Sequence, residues 1–140
     1  MKNYLFALLI FFTATALAQT DTRIYDIIQK VSAKNIEADI TTLANFGTRN
    51  TFSDTLSSTR GIGAARRWIK AQFDQISLNC EECLEVFYQK DLVKIASSNR
   101  VPRDTWVVNV VAIQKSKTGS NEYIIMSGDI DSRNSDGSDF

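Results

Sequence analysis

An α/β fold, unfinished as written, is what the sequence predicts, and three observations predict it. Apolar residues recur at helical spacing through the first half of the chain. Short β-branched runs bounded by turn residues fill the second half. One of these runs, Trp106 to Ile113, is nearly all apolar apart from Asn109 and reads as a strand buried on both faces, and such a strand needs a layer on each side. The helices ahead of it supply one layer, and nothing in the 140 residues supplies the other.

The elements follow in order. Ile24, Ile27, Ile28 and Val31, then Ile36, Ile40, Leu43 and Phe46, mark one or two amphipathic helices whose apolar stripe is expected to pack into a core. Gly47 stops the pattern as a C-terminal glycine does. Residues 47–60, rich in Gly, Thr, Ser, Asn and Asp, read as a loop, with Ser58 or Thr59 as the N-cap of the next helix. Ile62, Ala65, Ile69, Phe73 and Ile76 form the apolar face of that helix, and Arg66, Arg67 and Lys70 are assigned to its solvated faces. Leu84, Val86 and Tyr88 then alternate with polar residues as a half-buried strand does. Residues 94–105, with Pro102, are a connection to the Trp106–Ile113 strand; 115–121 are a turn; Tyr123 to Met126 is a further short buried strand. A polar tail follows from Ser127 to Phe140.

The first 18 residues stand apart. Lys2 precedes a run from Tyr4 to Leu17 that only Thr13 and Thr15 interrupt, and Ala16-Leu17-Ala18 gives a small-x-small cleavage pattern. The run is shorter than the roughly 20 residues of a membrane span. Residues 1–18 are therefore expected to be a signal peptide, and residues 19–140 to be an exported protein, periplasmic or extracellular, with no stable membrane span. Lys2 is the only charge in the leader, so cleavage leaves 15 basic and 16 acidic residues. A balanced surface offers nothing to attract nucleic acid.

The chain has no histidine, which excludes any Ser-His-Asp or Cys-His nucleophile system and any histidine-ligated zinc within it. Cys80 and Cys83 are its only cysteines. In an oxidising compartment the expected arrangement is a local disulfide pinning a turn. The competing arrangement, a redox dithiol, expects a helix opening just after a strand, whereas here the pair follows a helix and precedes a strand.

Ligands in open α/β sheets bind beyond the carboxyl ends of strands. The segment after Met126 reads Ser127-Gly128-Asp129-Ile130-Asp131-Ser132-Arg133, with Asp136 and Asp139 close behind. Asp129 and Asp131, at i and i+2, face the same side of an extended chain and together suit a divalent metal. Alternatively they belong to an ordinary acidic exit loop.

That heptapeptide resembles the Gly-His-x-Asp-Ser signature of the secreted zinc-dependent aminopeptidases, a metallopeptidase family that includes bacterial leucyl-type aminopeptidases. Three earlier segments resemble the family in the same order: Leu43-Ala44-Asn45-Phe46-Gly47-Thr48-Arg49; Thr59-Arg60-Gly61-Ile62-Gly63 with Ala65, Trp68 and Ile69; and Asn109-Val110-Val111-Ala112 followed by Tyr123-Ile124-Ile125-Met126. The resemblance implies that residues 19–140 are the N-terminal portion of a three-layer α/β/α domain with a mixed central sheet. It implies two zinc ions, a peptide or protein substrate, and hydrolysis of an N-terminal peptide bond by a metal-bridged water with a glutamate as general base.

The sequence departs from this pattern twice. Asp129 stands where the family has its first zinc-binding histidine; aspartate can ligate zinc, but it adds a negative charge. Asp131 matches the aspartate that supports that ligand. The family's bridging aspartate, glutamate pair and later ligands match no residue up to Phe140, so the chain by itself is expected to be inactive and, with open strand edges, poorly stable. The other reading of the same resemblance is a non-catalytic exported relative that binds peptides or a partner protein.

Overall fold

The computed structural model describes residues 21–95 and 101–132. The proposed signal peptide and the tail residues Arg133, Asp136 and Asp139 lie outside them. The described chain is mixed α/β, with three helices and a two-stranded antiparallel sheet. It divides into two units between Asp39 and Ile40.

In the first unit, helix α1 (Thr22–Gln29) opens on Asp21, whose carboxylate accepts the Arg23 N–H at 2.9 Å. Helix α2 (Ala33–Asn45) begins beyond Ser32, whose hydroxyl accepts the Asn35 N–H at 3.2 Å. The expected apolar stripe is present in the helical spacing, but its first half is not a core. Ile24, Ile27, Ile28 and Val31 are all more than half exposed, and α1 has no buried residue.

In the second unit, α2 ends where the sequence predicts. The Gly47 N–H donates to the Ala44 carbonyl at 3.0 Å, and Gly47 takes the left-handed conformation, φ 69°, that a helix C-terminus favours. The loop that follows is a series of side-chain-to-backbone turns. Asn50 Oδ1 accepts the Phe52 N–H at 2.9 Å; Asp54 Oδ1 accepts from Leu56 and Ser57 at 2.7 and 2.9 Å; Ser57 Oγ accepts from Thr59 and Arg60 at 3.2 and 3.1 Å.

This loop builds the start of helix α3 (Gly61–Asn79). The N-cap is Arg60, which makes no side-chain cap bond, rather than Ser58 or Thr59. The orphan N–H groups of the first turn are satisfied from a distance instead. Gly61 donates to the Phe46 carbonyl at 2.9 Å, Ile62 to Ser53 Oγ at 2.9 Å and Gly63 to the Asp54 carbonyl at 3.1 Å. Such close approach requires glycine: a Cβ at Gly61 would lie 2.4 Å from the Asp54 oxygen, and one at Gly63 2.2 Å from the Thr55 oxygen. Ile62, Ala64 and Ala65 are buried here, and the Phe46 and Trp68 rings meet at 6.3 Å.

Two further expectations for α3 need correction. Arg66, assigned to a solvated face, is buried. Ile76, assigned to the apolar face, is exposed, and Ser77 is buried in its stead. The reason for the second is the junction with strand β1 (Leu84–Val93): Ser77 Oγ donates to the Leu84 carbonyl at 2.9 Å and accepts the Leu84 N–H at 3.1 Å. Between them Cys80 and Cys83 are joined as a disulfide with their Cα atoms 5.4 Å apart, and Glu81 and Glu82 both take positive φ, 58° and 60°.

Strand β1 pairs antiparallel with β2 (Thr105–Gln114), from Leu84 opposite Gln114 to Val93 opposite Thr105. Leu84, Val86 and Tyr88 are half-buried and alternate with exposed residues, as expected. Helix α3 packs against both strands. The expectation that β2 is buried on both faces fails among the described residues: Trp106 is 56% exposed and Ile113, on the opposite face, 41%. The expected third strand, Tyr123 to Met126, lies in no regular element, and each of its residues is at least 87% exposed. Without a neighbour to receive its N–H and C=O groups, its apolar, β-branched composition is not enough to make a strand.

Candidate metal centre and the adjoining cavity

The segment that carries Asp129 and Asp131 is held to the α2–α3 loop by Arg49. The Ser132 N–H donates to the Arg49 carbonyl at 3.2 Å, and the Arg49 N–H donates to Ser132 Oγ at 3.2 Å. The Arg49 side chain adds two more bonds, Nε to the Ile130 carbonyl at 3.0 Å and Nη1 to the Leu43 carbonyl. One half-buried arginine thus ties the end of α2 to the candidate metal loop, which lies 81 residues or more further along the chain. Asp131 Oδ2 receives a long hydrogen bond, 3.5 Å, from Thr51 Oγ1.

Both candidate carboxylates are exposed. The two cysteines are joined to each other. Among the described residues no group of three or more His, Cys, Asp or Glu side chains stands together in a way that holds a metal ion. Zinc takes four ligands in structural sites and three protein ligands in catalytic ones. The donors gathered here fall short of either, so the described residues alone do not complete a zinc site.

The sheet, α3 and loop residues 51–55 line an open cavity of about 620 Å³. Thr51, the partner of Asp131, stands on its wall. Arg66 reaches it from α3, and Tyr88, Lys90 and Trp106 reach it from one face of the hairpin. Burial pushes the Arg66 guanidinium below its ordinary pKa, while the negative charge of Asp131 and the Tyr88 phenol oppose that shift. Arg66 Nε has no hydrogen-bond partner among the described residues.

Sequence reasoning placed Asp129 and Asp131 on this loop but overlooked Arg49 and Arg66. Arg49 sits in the segment Gly47-Thr48-Arg49, where a long polar side chain beside a helix-ending glycine was the available signal. Arg66 offered none, because a charge one position after Ala65 on an amphipathic helix ordinarily faces water.

The chain is similar to several fungal proteins, each named a probable zinc metalloprotease. It is 38% identical over 120 residues to one from Leptosphaeria maculans, a match that covers 86% of this chain and 27% of that protein. It is 38% identical over 116 residues to one from Pyrenophora teres f. teres, covering 83% of this chain and 24% of the relative. A third, from Pyricularia oryzae, is 32% identical over 116 residues, covering 83% and 23%. The chain therefore spans about a quarter of the length of the curated relatives it matches. No protein-family model matches it, and no solved structure does.

Proposed function

We propose that this chain is part of an exported zinc-dependent peptidase of the aminopeptidase type, and that Asp129 lies at its metal centre with Asp131 beside it. The observation that carries the reading is the similarity, over more than four-fifths of the chain, to proteins named zinc metalloproteases. The Ser127–Arg133 segment and the order of the three segments before it support the aminopeptidase assignment. The leader-like residues 1–18 support export. Zinc supplies Lewis acidity for amide hydrolysis. Its remaining donors, and the general base, belong to polypeptide outside residues 21–132. The same polypeptide supplies the further strands and the second helical layer of a three-layer domain, covering β2 and Tyr123–Met126.

The full-length protein should contain zinc in whole-number stoichiometry and release the N-terminal residue from aminoacyl anilides, with activity lost to a chelator and restored by zinc. An N-acetylated version of the same substrate should be untouched. Zinc-dependent cleavage of acetylated peptides would replace the aminopeptidase assignment with an endopeptidase.

A second reading is a peptide-binding relative without catalysis. Asp129 at the histidine position of the signature, in a chain with no histidine, favours it. Metal-free full-length protein that binds peptides without cleaving them would establish it.

A further inference from the structure

The cavity between α3 and the hairpin is strongly cationic. Arg66, Arg67, Lys90 and Arg103 line it. Among the described residues one carboxylate stands on its wall, Asp104, and it is already engaged by Lys94 at 2.8 Å. Arg67 and Arg103 are anchored by donating to backbone carbonyls, Arg67 to Thr55 and Ser57 and Arg103 to Phe52, which fixes their position and leaves their charge in place. Lys90 stands 5.8 Å from the centroid of the Tyr88 ring.

Arg66 distinguishes this cavity from a merely basic surface. Its side chain is withdrawn from water, with 7% of the residue exposed; the charge of Asp131 reaches it only from beyond ion-pair distance, no carboxylate among the described residues forms an ion pair with it, and its Nε is unpartnered. A buried cation with an orphan donor is an unfavourable arrangement unless an anion completes it. Guanidinium pairs best with the two oxygens of a carboxylate, through parallel N–H···O bonds. Tyr88 and Trp106, on the same wall, offer aromatic surface to an apolar group beside that carboxylate.

We propose that this cavity is a binding site for a peptide carboxylate, with Arg66 as its fixed anchor and Tyr88 and Trp106 as walls for the adjacent side chain. The identification of the ligand as a peptide rests on the peptidase reading above. The carboxylate has two possible sources, an acidic side chain or a peptide C-terminus.

The test is calorimetric titration of the full-length protein, with zinc chelated, against three acetylated dipeptides that an aminopeptidase cannot cleave. Acetyl-Leu-Glu-amide carries only a side-chain carboxylate, acetyl-Leu-Gln only a terminal one, and acetyl-Leu-Gln-amide neither. One of the two acids should bind about tenfold or more tightly than the neutral amide, the preferred one naming the source. Arg66→Met should abolish that preference, and Arg66→Lys should retain part of it. Lys90→Gln, at an exposed position that does not threaten folding, should weaken it by about two- to fivefold. Equal affinity for all three probes, or a preference that survives Arg66→Met in a folded variant, overturns the proposal. Because no cleavage is read, a metal-free, inactive protein that keeps the preference would end the peptidase reading and leave the carboxylate site standing. An active zinc peptidase without the preference would do the reverse.

Discussion

Arg49 and Ser132 hold each other through two hydrogen bonds of 3.2 Å, one in each direction across a separation of 83 residues. With the Arg49 Nε bond to Ile130, this clasp fixes the backbone on both sides of Asp131. Replacing Arg49 by alanine leaves the Ile130 and Leu43 carbonyls without their charged donor. Arg49→Ala should cost about 1.5–3 kcal/mol, as hydrogen bonds to charged groups do, and should lower zinc affinity in the full-length protein. Arg49→Lys should not rescue either, since a single ammonium cannot reach both carbonyls in the geometry of a guanidinium. Denaturant unfolding and a zinc titration read the two effects.

Gly63 faces the Thr55 backbone so closely that a Cβ would lie 2.2 Å from its oxygen, and this oxygen has no flexible side chain to swing away. Gly63→Ala should therefore destabilise by about 1–3 kcal/mol, despite alanine's higher helix propensity. Gly61→Ala should cost at least as much, because Gly61 combines a 2.4 Å approach to Asp54 with φ of 74°. Urea denaturation of the two variants checks both; a gain in stability at Gly63 would mean that the loop 54–55 lies further from the helix.

The legible part of the fold was the part governed by local rules. Gly47 ends α2, and the period-2 alternation of Leu84, Val86 and Tyr88 marks β1, because helix caps and strand pleats act within a few residues. The N-terminus of α3 is not legible in the sequence, because its first-turn N–H groups are satisfied by Phe46, Ser53 and Asp54, partners up to 15 residues away that no capping pattern reveals. Tyr123–Met126 has strand-like composition but forms no strand, because such a segment needs a pairing edge. At the candidate site the two carboxylates were readable as an i, i+2 pair, whereas Arg49 and Arg66 act on residues far along the chain and are visible only once the chain is folded.

Ser77 joins the end of α3 to the start of β1 by donating to and accepting from Leu84 with one hydroxyl. Ser77→Ala strands both Leu84 backbone groups at a half-buried position, at a cost of about 1–3 kcal/mol. Reduction of the Cys80–Cys83 bond should destabilise the same junction, and the two changes should be less than additive because they loosen one element. Thermal melts of the wild-type and variant proteins, each with and without reductant, complete the cycle.

Acid should weaken the fold through particular aspartates. The Ser57 and Leu56 N–H groups hold the Asp54 carboxyl below its ordinary 3.8, and the Lys94 ammonium does the same for Asp104, helped by the Ile95 N–H. Folded-state values below the unfolded ones mean that the unfolded chain binds more protons in this range. Their contribution is thus complete above the unfolded value and is lost as pH falls through the folded values. The melting temperature should be nearly flat from about pH 7 to about pH 5 and decline below about pH 4, and Asp54→Asn with Asp104→Asn should make that decline shallower. An unchanged acid limb in the double variant would assign the loss to other carboxyls.

The central claim is that Asp129 belongs to a zinc centre, and the most direct test is the zinc affinity of the full-length protein compared with that of Asp129→Ala. A true ligand, once removed, should weaken zinc binding by about tenfold to a hundredfold or more while leaving the thermal transition of the metal-free protein in place. Identical affinity in the two proteins would contradict the claim and return Asp129 to the role of an exposed loop residue.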